Sequence, residues 1–272
     1  MTDPEMEAVA DLLRAAASSL ILPRFGALAS HDVHEKSSPD DLVTIADREA
    51  ELWLTPRLRN IVDCEVVGEE ACAAAPDLRK RATADKAWTV DPVDGTGNFV
   101  KGKPNFCTMV AFLEHGTPIR SWIWVPLQAA LYFAKRGEGA FRVHEDGTCE
   151  RLTLEARPWT LEDMEGGASA VSMPEPERSE IRSRLRTIPG RRFPGSSGIL
   201  GTQIASGDQQ FLMQARCTPW DHAPVDLLCR EAGAHSAMLN DGAVFNAGFD
   251  AGFMIAPDEA SWSLLRDHIG PI

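Results

Sequence analysis

The sequence predicts a mixed α/β or α+β protein, and three observations carry that expectation. Apolar residues recur at helical spacing in some stretches and as short strand-like runs in others, interleaved along one chain. At 272 residues and 44% hydrophobic composition, the chain can bury a substantial core, as one large domain or as two packed halves. The middle of the chain reads as an antiparallel meander, a supporting sheet rather than a site.

From the N-terminus, Asp3-Pro4 opens a helix in which Met6, Val9, Leu12, Leu13, Ala16 and Leu20 share a spacing. A polar loop over residues 34–41 leads to Thr44, which can cap a helix carrying Ala46, Ala50, Trp53, Leu54 and Leu58 on one side. Asp47 falls in its first turn, where the helix dipole favours negative charge, and that alone accounts for an aspartate there. Residues 64–67 read as a strand running into Gly68-Glu69-Glu70. A glutamate just past a strand end can reach a site at the sheet edge, although the same letters fit a solvated turn. Residues 71–85, rich in Ala, Lys and Arg, read as a mobile connection.

Residues 86–90 form a short buried strand ending in Asp91-Pro92-Val93-Asp94-Gly95-Thr96-Gly97. Pro92 biases Asp91 away from helix, so Asp91 sits where the backbone leaves the sheet. The carboxylates of Asp91 and Asp94 can then converge, with the Val93 carbonyl between them. Such hard oxygens suit Mg²⁺ or Mn²⁺ rather than zinc. Gly95, Thr96 and Gly97 offer backbone N–H groups, and a helix starting there favours an anion such as phosphate. An Asx-rich turn would be written with the same letters.

Downstream, residues 106–113, 119–125 and 129–134 read as strands, with turns at 116–118 and 137–140. The charged stretch 145–167 ends in Gly166-Gly167 and separates an N-terminal half, 1–150, from a C-terminal half, 151–272. A strand over 168–172 and a helix over 175–185 follow. The small-residue turn 193–198 precedes the apolar stretch 199–205, and 211–214 is a strand. Asp221 then reads as the N-cap of a helix ending near Ala232, with Pro224 in its first turn. Strands over 235–239 and 252–255 and a helix over 257–268 complete the chain.

A net charge of −13 and a pI near 5.0 argue against nucleic acid or an anionic membrane as the main partner. The six cysteines form no CxxC pair and read mostly as buried free thiols. With no secretory n-region and no run approaching a membrane span, a cytoplasmic location is the expectation.

Four separated motifs, Asp41-Leu42-Val43-Thr44 with Asp47, Gly68-Glu69-Glu70, Asp91-Pro92-Val93-Asp94-Gly95-Thr96 and Trp220-Asp221, stand in order over nearly the whole chain. Together they resemble the inositol monophosphatase family of Mg²⁺-dependent, lithium-sensitive phosphomonoesterases. The resemblance implies a layered α-β-α-β-α sandwich, often a homodimer, with the site between two halves. It implies that Glu69, Asp91, the Val93 carbonyl, Asp94 and Asp221 hold two or three Mg²⁺ ions, Mn²⁺ being a substitute. It gives the phosphate to Gly95, Thr96 and Gly97, the attacking water to Glu69 and Thr96, and to Asp47 a hydrogen bond with Thr96. Gly195 and Ser196 look like the family's substrate-side turn. Gln214 stands seven positions before Asp221, where members acting on inositol phosphates usually carry an acid. His222, in the run after Trp-Asp, reads as a first-turn surface residue. The implied substrate is a small phosphorylated metabolite of the inositol 1-phosphate kind. Histidinol phosphate, fructose 1,6-bisphosphate and 3′-phosphoadenosine 5′-phosphate are the alternatives. Some members are instead interaction proteins of the transcription machinery; the acidic balance here argues against direct RNA binding.

Overall fold

The computed structural model describes residues 3–28, 32–35, 42–171 and 173–270; of the polar loop expected over 34–41, His34 and Glu35 lie in a strand and 36–41 fall outside the described residues. Helix α1 (Pro4–Ala16) starts on Asp3, whose carboxylate accepts from the Glu5 and Met6 N–H groups. Strands β1 (Val33–Glu35) and β2 (Leu42–Thr44) pair antiparallel, and α2 (Ile45–Ile61) follows on a Thr44 cap. Then come β3 (Glu65–Gly68), α3 (Glu69–Ala74), β4 (Lys86–Asp94), α4 (Thr96–Val100), β5 (Cys107–Glu114), β6 (Thr117–Val125), β7 (Ala130–Lys135), β8 (Gly139–Val143) and β9 (Cys149–Leu152). The chain continues through β10 (Glu165–Ser169), α5 (Glu177–Leu185), β11 (Gly190–Arg191), α6 (Ser197–Ala205), β12 (Phe211–Gln214), α7 (Pro219–Glu231), β13 (His235–Met238), β14 (Phe253–Ala256) and α8 (Glu259–Ile269).

Strands β3 to β9 form one seven-stranded sheet in chain order, antiparallel except for the parallel β3/β4 pair. A second sheet runs β11-β10-β12-β14-β13. Period-two alternation decides which layer each strand side chain joins. On one face of the large sheet, Trp88, Val90, Val110 and Phe112 pack with Met6, Val9 and Leu13 of α1 and Leu54 and Leu58 of α2. On its other face, Met109, Ala111 and Leu113 meet α6 and α7, which also cover Leu212, Phe253 and Ile255 of the small sheet. The far side of the small sheet packs Met213, Ala237 and Met254 against Ile181 of α5 and Leu265 of α8. The result is five layers, α-β-α-β-α, as the resemblance implied. Among the described residues, no helix is long and apolar enough to cross a membrane.

Two expectations are corrected. Residues 71–85 form α3 and a 3-10 helix over Pro76–Thr83, not a mobile connection. Arg79 anchors this stretch by donating to the Cys217 and Phe249 carbonyls at 2.8 and 2.7 Å. The strand expected over 168–172 lies three residues earlier, because Gly166 and Gly167 belong to it rather than to the charged stretch before it. Close packing requires a glycine at 166: a Cβ there would stand 2.1 Å from the Phe211 carbonyl oxygen of the paired strand. Gly166→Ala is therefore expected to cost about 1–3 kcal/mol or more, read as a lower urea midpoint. An unchanged midpoint would show that β10 and β12 are not held so tightly.

Candidate active site

Strand β4 pairs with β5 in register as far as Asp91↔Met109, then bulges and resumes at Asp94↔Cys107. Pro92, with no N–H to give a ladder, sits in the bulge, and its carbonyl accepts from Thr108 Oγ1 at 2.8 Å. Asp91 Oδ1 accepts the Val93 N–H at 3.1 Å and fixes the turn from inside. Gly95 follows at φ +92°, left-handed and pressed on the Asn105 carbonyl, and α4 begins at Thr96. Thr96 Oγ1 lies 2.9 Å from the Val93 carbonyl oxygen and 3.1 Å from Asp47 Oδ1, so one hydroxyl proton serves two acceptors. Asp47 is fully buried, and its Oδ2 accepts both the N–H and the hydroxyl of Thr44. One carboxylate thus completes the cap of α2 and holds Thr96.

Glu69 is the first residue of α3 and Asp221 the third of α7. One carboxylate oxygen from each of Glu69, Asp91 and Asp221 lies within 4.8 Å of the others. Asp91 is buried and the other two are half-buried. Beside them opens a cleft of about 390 Å³, walled by Glu69, Asp221, Thr218, Trp220, Arg79 and Arg216 among others. Burial, and then the charges of Glu69, Asp94 and Asp221, hold the Asp91 carboxyl well above the usual carboxylate range.

Asp94 is not one of this trio; its carboxylate turns to the start of α6. It accepts the Gly198 N–H at 2.6 Å, the Ser197 N–H at 3.2 Å and the Ser196 hydroxyl. Burial and the Asp221 charge still push it up to about 7 against those three donors. Ser196 is buried and also caps α6, accepting from the Ile199 N–H at 3.0 Å. Gln214, at the end of β12, donates to Ser197 Oγ at 3.3 Å. Gly195 sits in the left-handed turn before Ser196, and Gly97 faces open space.

Asp221 is not an N-cap. Thr218 is, because Pro219 is well suited to the first helical position, and Pro224 lies inside the helix rather than in its first turn. His222 is buried, not on the surface, since α7 runs in the middle layer with both sheets over it. Its Nδ1 accepts the Thr218 N–H at 3.0 Å, and burial pushes its pKa down to about 4. Sequence reasoning also missed Asn98, whose amide donates to the carbonyls of Asn105 and Pro194 and ties the α4 turn to the 194–196 turn. It missed the bidentate Arg216–Asp250 pair and the Arg79–Asp250 pair at the cleft.

Compared with known proteins, residues 3–260 match the model of the inositol monophosphatase family. The chain is 30% identical over 258 residues to a histidinol-phosphatase of Mycobacterium tuberculosis, covering 93% of this chain and 92% of that one. It is 29% identical over 204 residues to a fructose-1,6-bisphosphatase/inositol-1-monophosphatase of Thermotoga maritima, covering 74% and 73%. A solved structure of an IMPase/NADP phosphatase complexed with Mg²⁺ and phosphate superposes with a TM-score of 0.78 at 22% identity, covering 98% and 94%.

A buried carboxyl with a raised pKa keeps its proton in the native state where the unfolded chain has lost it. The Asp91, Asp94 and Asp226 carboxyls are all raised, the last two to about 7. In chelator, their contribution to stability is present at pH 4 and is lost as pH rises to about 7. His222 works the other way, losing stability as pH falls from 6.5 to about 4, but it is one group against three. The melting temperature in chelator is therefore expected to fall between pH 4.5 and 7.5, and saturating Mg²⁺ to flatten the slope. A midpoint that climbs with pH in chelator would contradict this.

Proposed function

The chain belongs to the inositol monophosphatase family, and from that membership and the site geometry we propose that it is a Mg²⁺-dependent phosphomonoesterase acting on a small phosphorylated metabolite. The observation that carries this reading is the meeting of carboxylates from α3, β4 and α7 at one wall of a cleft. Three anionic oxygens so close stay ionised together only with a cation among them, and an all-oxygen donor set suits Mg²⁺ or Mn²⁺. Glu69, Asp91 and Asp221 would hold it, with Asp94 and the Val93 carbonyl beside them. When bound, the cation supplies charge neutralisation of the phosphate, a more acidic water and stabilisation of the leaving oxygen.

The side chains of this protein do the rest. Thr96 gives its one hydroxyl proton to Asp47 and the Val93 carbonyl, so its oxygen is left to accept from a water. Glu69, at the cleft wall, takes the proton that this water gives up as it attacks phosphorus. The N–H groups of Gly95, Thr96 and Gly97 receive the phosphate oxygens. The bond from phosphorus to the alcohol oxygen breaks, the proton taken up by Glu69 passes through a water to that oxygen, and the alcohol and inorganic phosphate leave with Glu69 again a carboxylate.

One observation bears on the alcohol. Arg79 and Arg216 line the cleft beside Glu69 and Asp221, sharing Asp250 as a common anion, and the Arg216 side chain remains 56% exposed. With Glu69 and Asp221 committed to the cation, two guanidinium groups against the one Asp250 carboxylate leave that wall cationic. It favours an alcohol carrying a second anionic group, as in fructose 1,6-bisphosphate or 3′-phosphoadenosine 5′-phosphate, over inositol 1-phosphate or histidinol phosphate.

Two outcomes are expected. Asp91→Asn lowers Mg²⁺-dependent phosphate release at least about a hundredfold, while its chelated form melts no lower than the wild type, because a repelling buried group is gone. Wild-type turnover in that variant would refute the assignment. Arg216→Ala lowers kcat/KM for fructose 1,6-bisphosphate about tenfold or more relative to inositol 1-phosphate; an equal change for both would remove the second-anion reading.

A further inference from the structure

We infer that Glu51 is a positioning residue of the cation site: its carboxylate fixes the first turn of α3 and thereby the place of the Glu69 carboxylate. This rests on the phosphatase reading above. Helix α3 opens with Gly68 as its N-cap, a residue with no side chain to satisfy the orphan N–H groups of the first turn. Glu51 does so from α2: Oε2 accepts the Glu70 N–H and Oε1 accepts the Ala71 N–H, both at 2.8 Å. Glu51 as a whole is 6% exposed. The contact also explains Gly68 independently, because a Cβ there would stand 2.2 Å from the Glu51 carboxyl carbon. The glycine is the space into which the carboxylate fits.

Glu51 and Asp47 are four residues apart, one helical turn, and so share a face of α2. Asp47 holds the turn of β4 and α4 through Thr96, and Glu51 holds the start of α3. One rigid helix therefore sets two separate loops of the site in register. A carboxylate suits the task better than an amide. Both oxygens accept, whereas a glutamine would present its own N–H₂ to one of the two backbone donors.

The test is direct Mg²⁺ binding by calorimetry, with no substrate present, on the wild type, Glu51→Ala, Glu51→Gln and Asp258→Ala. Asp258 caps the remote helix α8, so its loss lowers the melting temperature without touching the site. The expected result is Mg²⁺ affinity weakened about 10- to 100-fold in Glu51→Ala, by an intermediate factor in Glu51→Gln, and unchanged in Asp258→Ala. Should Glu51→Ala not fold, Glu51→Gln carries the comparison, since it keeps one of the two bonds. Wild-type affinity in a folded Glu51 variant, with the wild type itself binding Mg²⁺, overturns this inference and leaves the phosphatase reading standing. A wild type that takes up no Mg²⁺ overturns the phosphatase reading, and this inference with it.

Discussion

Like charges held close in a buried place are the constraint to which the rest of the structure answers. Carboxylate oxygens within 4.8 Å of one another repel by roughly 3 kcal/mol per pair at an effective dielectric of about 20. The first turns of α3 and α7 favour Glu69 and Asp221 singly, and the Val93 N–H holds Asp91, but these local effects do not bring the three together. Burial raises Asp91 and Asp94 further, since a desolvated carboxylate prefers to hold its proton. The fold must therefore supply the convergence from outside, and it does so with elements that are rigid for other reasons. β4 is fixed on both sides by the large sheet, α7 is clamped between two sheets, and α3 is capped by a side chain of α2.

Bracing of the acids follows one pattern. Among the described residues, Asp47 and Asp94 are held by backbone N–H groups, hydroxyls and the Cys107 thiol. Asp47 takes Thr44 and Thr96, and Asp94 takes Ser196 with the N–H groups of Ser197 and Gly198. Neutral donors orient a carboxylate without neutralising it, which leaves its charge for a cation. The arginines stand back in the cleft wall, where Asp250 engages them. An arginine among the acids would satisfy them as an ion pair and end their use as ligands.

Local pattern carried much of this into the sequence. Apolar spacing and a capping residue are enough for α1 and α2, because both signals lie within a few residues of the element they define. The metal-centre reading rested on motif order, and the structure places Glu69, Asp91 and Asp221 together. What stayed illegible has a common physical cause. Gly166-Gly167 read as a breaker because the neighbour that demands glycine, the Phe211 carbonyl, is 45 positions away in the sequence. Residues 71–85 read as mobile because Arg79 finds its partners more than a hundred residues downstream. His222 read as exposed because a histidine's burial depends on which layer its helix occupies, and no helical period encodes that. Asn98 and Glu51 act through backbone groups, which look the same in every sequence.

The chemistry is easier to read from the residues than the alcohol is, for a physical reason. Attack on a phosphorus atom needs particular atom types at the centre, so the residues there are few and their letters diagnostic. Selecting an alcohol needs only complementarity at the rim, which many side chains can provide. Here the rim carries a neutral amide at Gln214, bonded to Ser197, and two guanidinium groups, Arg79 and Arg216, along the wall beside Asp221. An amide in place of an acid on one side and positive groups on another act on the cleft's potential in a single direction. A neutral polyol gains nothing from such a field, whereas a second phosphate gains charge-assisted hydrogen bonds that no water returns in full. The charge of the rim, more than its shape, is the physical ground for expecting an anionic leaving group.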